Sequence, residues 1–199
     1  MHGRVCEWVR DANFHVQQLY WNWSFLWKQH PVQLAVGQAT YAPNELGLED
    51  FNKLARLSIT HDPTPVTNNW ASLQKGFDFD PLTDINPDRG QPTSVVVTKD
   101  GRWVFNRVPD QAYWLMFEYY RIPQTLERNF DECLIPKEWE HIVIHRAKML
   151  YAMYDESASD LASAQQEYKS TLVRMEAALL PPIKFQSSPF SEAAANTFG

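Results

Sequence analysis

The placement of proline constrains this chain more than any other feature. No proline lies between His2 and His30 or between Lys137 and Leu180, whereas ten of the thirteen fall from Pro31 to Pro136. Proline removes a backbone donor and clashes with the preceding turn, so it interrupts helices and central strands. The sequence therefore reads as four blocks: a first bundle helix over 1–30, a β-rich insertion over 31–136, two further bundle helices over 137–180, and an extended, flexible C-terminal tail over 181–199. The fold class implied is α+β, a three-helix bundle with an inserted antiparallel β-sheet region.

Hydrophobic spacing fills in the helical blocks. From Gly3 to Gln29, Val5, Trp8, Val9, Ala12, Val16, Leu19, Tyr20, Trp23, Leu26 and Trp27 recur at the spacing of one apolar helix face. At about 100° per residue, Phe14, Trp21 and Phe25 fall on the opposite side. A helix with two apolar faces is expected to be sandwiched, either by its own β region or by another subunit. The second helix is expected after Ile135-Pro136, with Trp139, Ile142, Val143, Ala147, Leu150, Tyr151 and Tyr154 as its stripe. After a break at 157–160 the third carries Leu161, Tyr168, Leu172, Met175 and Leu179, and Pro181-Pro182 ends it.

In the β block, Thr93 to Asn106 predicts a hairpin turning at Asp100-Gly101. Tyr113 to Ile122 predicts a central strand, with Tyr113, Leu115, Phe117 and Tyr119 on one face and Trp114, Met116 and Tyr120 on the other. Val32 to Val36 and Leu54 to Thr60 can supply further strands. His61 to Pro92 reads as a long loop. The tail, with Phe185, Phe190 and Phe198 spaced along small and polar residues, has too little apolar content to fold alone. Its aromatics have the form of anchors for a partner's groove.

Eight Trp, eight Tyr and eleven Phe exceed what one small core needs, and large rings with polar tips favour interfaces. A net charge of −6 argues against a protein that grips phosphate backbones, and basic residues form no aromatic-interleaved stripe. Cys6 and Cys133 stand in no metal or redox spacing and read as reduced thiols of a cytoplasmic product. No apolar run reaches membrane-spanning length, and no signal peptide is expected.

The search for chemistry returns little. His141 and His145 are four apart on a helix, but Ile142 stands where a zinc hydrolase needs its Glu, so a solvated face or subunit contact is expected. Asp78, Asp80, Asp84 and Asp88 lack the Gly and closing Glu of a calcium loop and read as acidic turn residues. There is no nucleophile elbow and no Gly-rich phosphate loop. Glu118 has no partner carboxylate for glycoside hydrolysis. The expectation is no catalytic residue, no metal and no cofactor.

Four segments then carry a resemblance: EWVRDANFHVQQLYWNWSFLW, the β insert, PDQAYWLMFEYYRIPQTL and IPKEWEHIVIHRAKMLYAMYDE. Together they resemble the head-to-tail adaptor (connector, head-completion) proteins of tailed bacteriophages, over nearly the whole chain. The resemblance implies a structural virion protein, not an enzyme, assembled in the host cytoplasm. It implies a homo-oligomeric ring of twelve copies beneath the portal protein, meeting the tail or next connector protein, with DNA passing through the lumen without specific binding. Phe14, Trp21 and Phe25 become the expected subunit interface, and the tail's Phe185, Phe190 and Phe198 the expected portal-binding anchors. Such adaptors carry a further short helix before the long one; here that element is expected to be missing or encoded upstream. The alternative is a carbohydrate-binding or tail-associated module, which would use exposed Trp and Tyr as stacking platforms on a monomer. A lytic enzyme would instead need a cleft with convergent carboxylates or a metal.

Overall fold

The computed structural model describes residues 2–62, 70–75, 86–128 and 131–181. A helix, α1 (His2–Gln18), comes first. Ten strands follow: β1 (Trp27–Gln33), β2 (Thr40–Tyr41), β3 (Phe51–Thr60), β4 (Ala71–Ser72), β5 (Gln74–Lys75), β6 (Asn86–Arg89), β7 (Ser94–Val97), β8 (Trp103–Phe105), β9 (Arg107–Val108) and β10 (Trp114–Arg121). Two helices, α2 (His141–Tyr154) and α3 (Ala158–Leu179), complete the described order. No helix among the described residues is long and apolar enough to cross a membrane.

The strands form two four-stranded sheets, ordered β1-β10-β3-β4 and β2-β8-β7-β5, and a two-stranded pair of β6 and β9. The main ladders are antiparallel, while the short β5–β7 and β6–β9 pairings are parallel. The two larger sheets share a core through aromatic edges. Trp103 meets Phe117 at 5.3 Å and Phe51 at 5.4 Å, both near perpendicular, and within the second sheet Tyr41 meets Phe105 at 5.9 Å. Edge-to-face contacts of this kind add to plain area burial.

This architecture corrects the expected fold class. The β region is not an insertion into a three-helix bundle: its core holds fourteen buried side chains, against eight in the helical core, among the described residues. The protein is an α+β mixture in which the helices hold more of the residues and the sheets more of the buried core. The error traces to the first block. Apolar residues continue at helical spacing to Trp27, but α1 stops at Gln18 and Trp27–Gln33 form an edge strand paired with β10. Aromatic residues have low helix propensity, and Asn22 and Ser24 compete for backbone hydrogen bonds, so the run YWNWSFLW gains little from staying helical. Pro31 is tolerated because β1 has a neighbour on one side only.

Other expectations match in part. The hairpin closes at Gly101, whose φ of +81° requires the left-handed conformation that glycine adopts without strain. β10 lies between β1 and β3, with Leu115, Phe117 and Tyr119 fully buried. Its other face is only half-buried, not covered throughout as expected. Short strands β4, β5 and β6 occur within the expected loop over 61–92. The break before α3 is at Ser157, whose Oγ donates to Asp160 at 2.8 Å. The acidic residues Asp78, Asp80 and Asp84, the side chain of Asp88, and the tail with Phe185, Phe190 and Phe198 lie outside the described residues.

Candidate interaction surface

The turn between α1 and β1 gathers aromatic side chains and sets the join between helices and sheets. Trp23 is fully buried, and its indole Nε1 donates to the Val16 carbonyl at 3.1 Å. The same carbonyl, in the last turn of α1, also accepts the Leu19 backbone N–H at 3.4 Å, so the indole adds a second donor where the helix ends. Tyr20 meets Trp23 edge-on at 5.2 Å, and Phe25 stacks on Trp23 at 5.6 Å. Tyr20 donates its hydroxyl to Glu176 of α3 at 2.9 Å, and that bond, with the carboxylate's charge, raises its pKa. Trp21 turns the other way, onto Tyr120 of β10 at 5.2 Å, with the Lys53 ammonium 3.6 Å above its ring.

The three expected interface residues therefore do not share one helix face. Phe14 is on α1, whereas Trp21 and Phe25 lie beyond its end. Phe14 and Phe25 are half-buried, and Phe25 packs against the chain's own helical core. Trp21 is 46% exposed, beside Leu19, Tyr20 and Trp27, which are also exposed.

Behind this turn, buried amides hold the segment that crosses from β10 to α2. Gln17, fully buried on α1, accepts from the Gln124 backbone N–H at 2.8 Å. One turn earlier Asn13, also fully buried, donates to the Gln124 carbonyl and accepts from the Cys133 thiol at 2.9 Å. The Gln124 side chain bonds the Glu132 carbonyl and the Leu134 N–H. Burial pushes the Cys133 thiol pKa up, which keeps it a protonated donor and a poor nucleophile. Asn13, Gln17 and Gln124 were not singled out in the sequence; the available signal was two amides four residues apart within an apolar helix face.

Two clefts flank this clasp. The larger, about 580 Å³, lies between α1, the 131–137 segment and α2, with Val9, Asn13, Cys133 and Ile144 among its walls. The smaller, about 350 Å³, is lined by Gln17, Gln18, Trp21, Leu26, Asn52 and Pro123.

The histidine pair is placed on α2 with rings 5.6 Å apart and perpendicular. His141 stacks beside Trp139, while His145 faces α3, its Nδ1 2.9 Å from a Glu167 carboxylate oxygen. That separation suits an ion pair, but the atom is off the line of a hydrogen bond and counts as unpartnered. His145 therefore belongs to a helix–helix contact rather than an open face. No cluster of three or more metal-ligating side chains occurs among the described residues. Glu118 stands opposite Gln29 and Arg56 in the ladder.

The exposed aromatic turn and the clefts along α1 make this side of the chain the candidate contact surface. Residues 2–183 match the SU10 adaptor protein family, and the chain belongs to that family of phage head–tail adaptors. It is thus a structural component of a phage virion that associates with other head or tail proteins. Comparison with curated proteins gives no match.

Proposed function

We propose that this chain is a ring-forming adaptor that joins the phage portal to the tail, with DNA passing through the ring without specific binding. The observation that carries the reading, beside family membership, is the exposed turn of Leu19, Tyr20, Trp21 and Trp27. Large apolar side chains left exposed at one turn support its use as contact surface. In this reading Trp21 is the central subunit contact, and Phe14 and Phe25 flank it from their half-buried positions. The ring holds twelve copies, assembles in the host cytoplasm, and needs no metal, cofactor or catalytic group. The tail's Phe185, Phe190 and Phe198 anchor it to the portal protein, each contributing about 1.5–3 kcal/mol if fully buried. Repetition around a ring multiplies such contacts. The chain's acidic balance, −6 overall, suits a lumen that lets DNA slide.

Light scattering coupled to size exclusion, with and without portal protein, tests this. Wild-type chain should form a closed ring at least in the presence of portal, and Trp21→Ser should stay folded but fail to enter it. Truncation after Leu180 should preserve the fold and abolish stable portal attachment. A Trp21→Ser protein that assembles like wild type would remove the turn from the interface. A truncated chain that docks normally would move the portal contact to the helices.

A further inference from the structure

The larger cleft presents an apolar wall edged with negative charge. Val9, Leu134, Ile135, Val143 and Ile144 supply the wall, and Val9 and Ile144 are exposed. An adjoining cleft of about 220 Å³ shares Val9, Leu126 and Asp131 with it and carries the groove along α1 to Val5, also exposed. The ionised side chains lining the larger cleft are three acids, Asp131, Glu132 and Glu140, and one base, Lys137. Such a groove selects apolar side chains accompanied by a positive charge.

The chain carries such a segment just past the end of α3. Leu179 and Leu180 pack against the same apolar cluster as Leu134, Ile135 and Val143 of the cleft wall. Within the last two turns of α3, the Arg174 guanidinium stands 5.9 Å from the ring of Trp139, which lies in sequence between the wall residues Lys137 and Glu140. The tail therefore leaves the fold at the end of the helices that holds the cleft. Its first residues after Pro181-Pro182 are Ile183, Lys184 and Phe185, and Lys184 is the only charged residue from Pro181 to Ser191. On an extended backbone Ile183 and Phe185 point to one side and Lys184 to the other. Both apolar residues are two to four positions beyond Pro181, a reach of about 7–14 Å.

From these observations we infer that Ile183 and Phe185 of this chain enter its own larger cleft, with Lys184 held against the acidic residues that line it. The inference goes beyond the ring reading and does not depend on it, because it concerns the single chain before any portal is met. A portal that takes Phe185 has first to draw it out of the cleft. The contact needs little intrinsic affinity, since the short tether raises the segment's effective concentration to the millimolar range. Lys184 adds attraction that salt weakens, while the two apolar side chains supply attraction that salt does not.

Cys133 lines this cleft and is a free, half-buried thiol, so a reporter is already in place. Alkylation of the full chain by iodoacetamide, read at Cys133 by mass spectrometry and compared at one pH, follows the cover over the cleft. Phe185→Ala should speed the reaction about tenfold, and Phe185→Leu should restore most of the protection. Lys184→Glu should speed it a few-fold, with the effect shrinking in high salt. Phe190→Ala, beyond the segment, should leave the wild-type rate, and circular dichroism should show every variant folded. Protection should not change with chain concentration. Equal rates for wild type and Phe185→Ala would overturn the inference. Protection that grows with chain concentration would overturn it as well, by assigning the segment to a second copy. Neither result bears on ring assembly, which light scattering with portal protein reads separately.

Discussion

The sheets and the helices of this chain solve burial differently. The sheet core is apolar at its centre, where Leu115, Phe117 and Phe105 are fully buried and edged by Trp103, Tyr41 and Phe51, with the buried polar Ser58 and Thr60 on β3. The helical side is unfinished. Four of the five buried side-chain atoms without a hydrogen-bond partner among the described residues, on Gln17, His145 (whose Nδ1 still lies 2.9 Å from Glu167), Arg146 and Tyr168, belong to α1, α2 and α3. The same helices expose Val5, Val9, Ile144, Tyr151, Met153, Tyr154 and Val173. A region that carries both unpaired polar atoms inside and large apolar groups outside gains from contact with other chains; a closed core does not. The contrast supports reading the sheets as scaffold and the helices with their aromatic turn as the assembly layer.

The sharpest way to break that contrast is to compare cavities in the two cores. Phe117→Ala removes a fully buried ring from the shared core of both large sheets and should cost about 3–5 kcal/mol. Met175→Ala, equally buried in α3, should cost about 2–5 kcal/mol. What distinguishes the two regions is where protection is lost. Amide hydrogen exchange should rise throughout the protein for Phe117→Ala, but chiefly in α1, α2 and α3 for Met175→Ala. Equal loss of sheet protection in both variants would mean one cooperative unit, and the division into scaffold and assembly layer would fail.

A smaller change sharpens where the seam between the regions lies. Gln124→Leu leaves the Glu132 carbonyl and the Leu134 N–H without their side-chain partner. These bonds are exposed or part-buried, so the expected cost is about 0.5–1.5 kcal/mol, the net contribution of an ordinary hydrogen bond. Exchange should rise in 131–136 and along α1, with the sheets unaffected. An unchanged melting temperature would show that water replaces the amide without loss, and that the clasp is not the seam.

How much of this was legible in the sequence follows the same division. Period-two alternation from Tyr113 to Tyr119 and the Asp100-Gly101 turn are local signals, and both elements were found. Helices α2 and α3 were bounded by Pro136, Ser157 and Pro181, which act locally as well. The first helix was overextended because its stop is tertiary. Neither Gly nor Pro marks Gln18; the helix ends where the Trp23 indole folds back onto Val16 and where β10 offers Trp27–Gln33 a ladder. Trp21 kept its exposed position although the helical argument that selected it does not hold. The cleft at Gln17 was illegible because its walls, which include Gln17, Asn52 and Pro123, are far apart in sequence.

The smallest expected effect lies at the edge of the sheet scaffold, where a charge can be tuned by pH. Asp50 receives hydrogen bonds from Lys28, at 2.8 Å, and from the Tyr119 hydroxyl. Burial pushes its carboxyl pKa up, but the bonds from Lys28 and Tyr119, with the charges of Lys28 and Arg121, outweigh burial and hold it below the ordinary value. The same partnership, together with burial, raises the Tyr119 hydroxyl, which stays protonated throughout the neutral range. A carboxyl with a depressed folded pKa binds fewer protons folded than unfolded, so its stabilisation is fully present above the unfolded value, near 3.9. It is lost as pH falls through the lower folded value. Lys28 and Asp50 side chains are about a third exposed, at 36% and 34%, so screening by water and salt limits the effect to under about 1 kcal/mol. Asp50→Asn should therefore be slightly less stable than wild type in urea unfolding at pH 7. The difference should shrink as the acid limb is crossed and should narrow in high salt. A gap that widens on acidification would mean that Asp50 is destabilised by its burial, and that the scaffold's edge tolerates charge rather than using it.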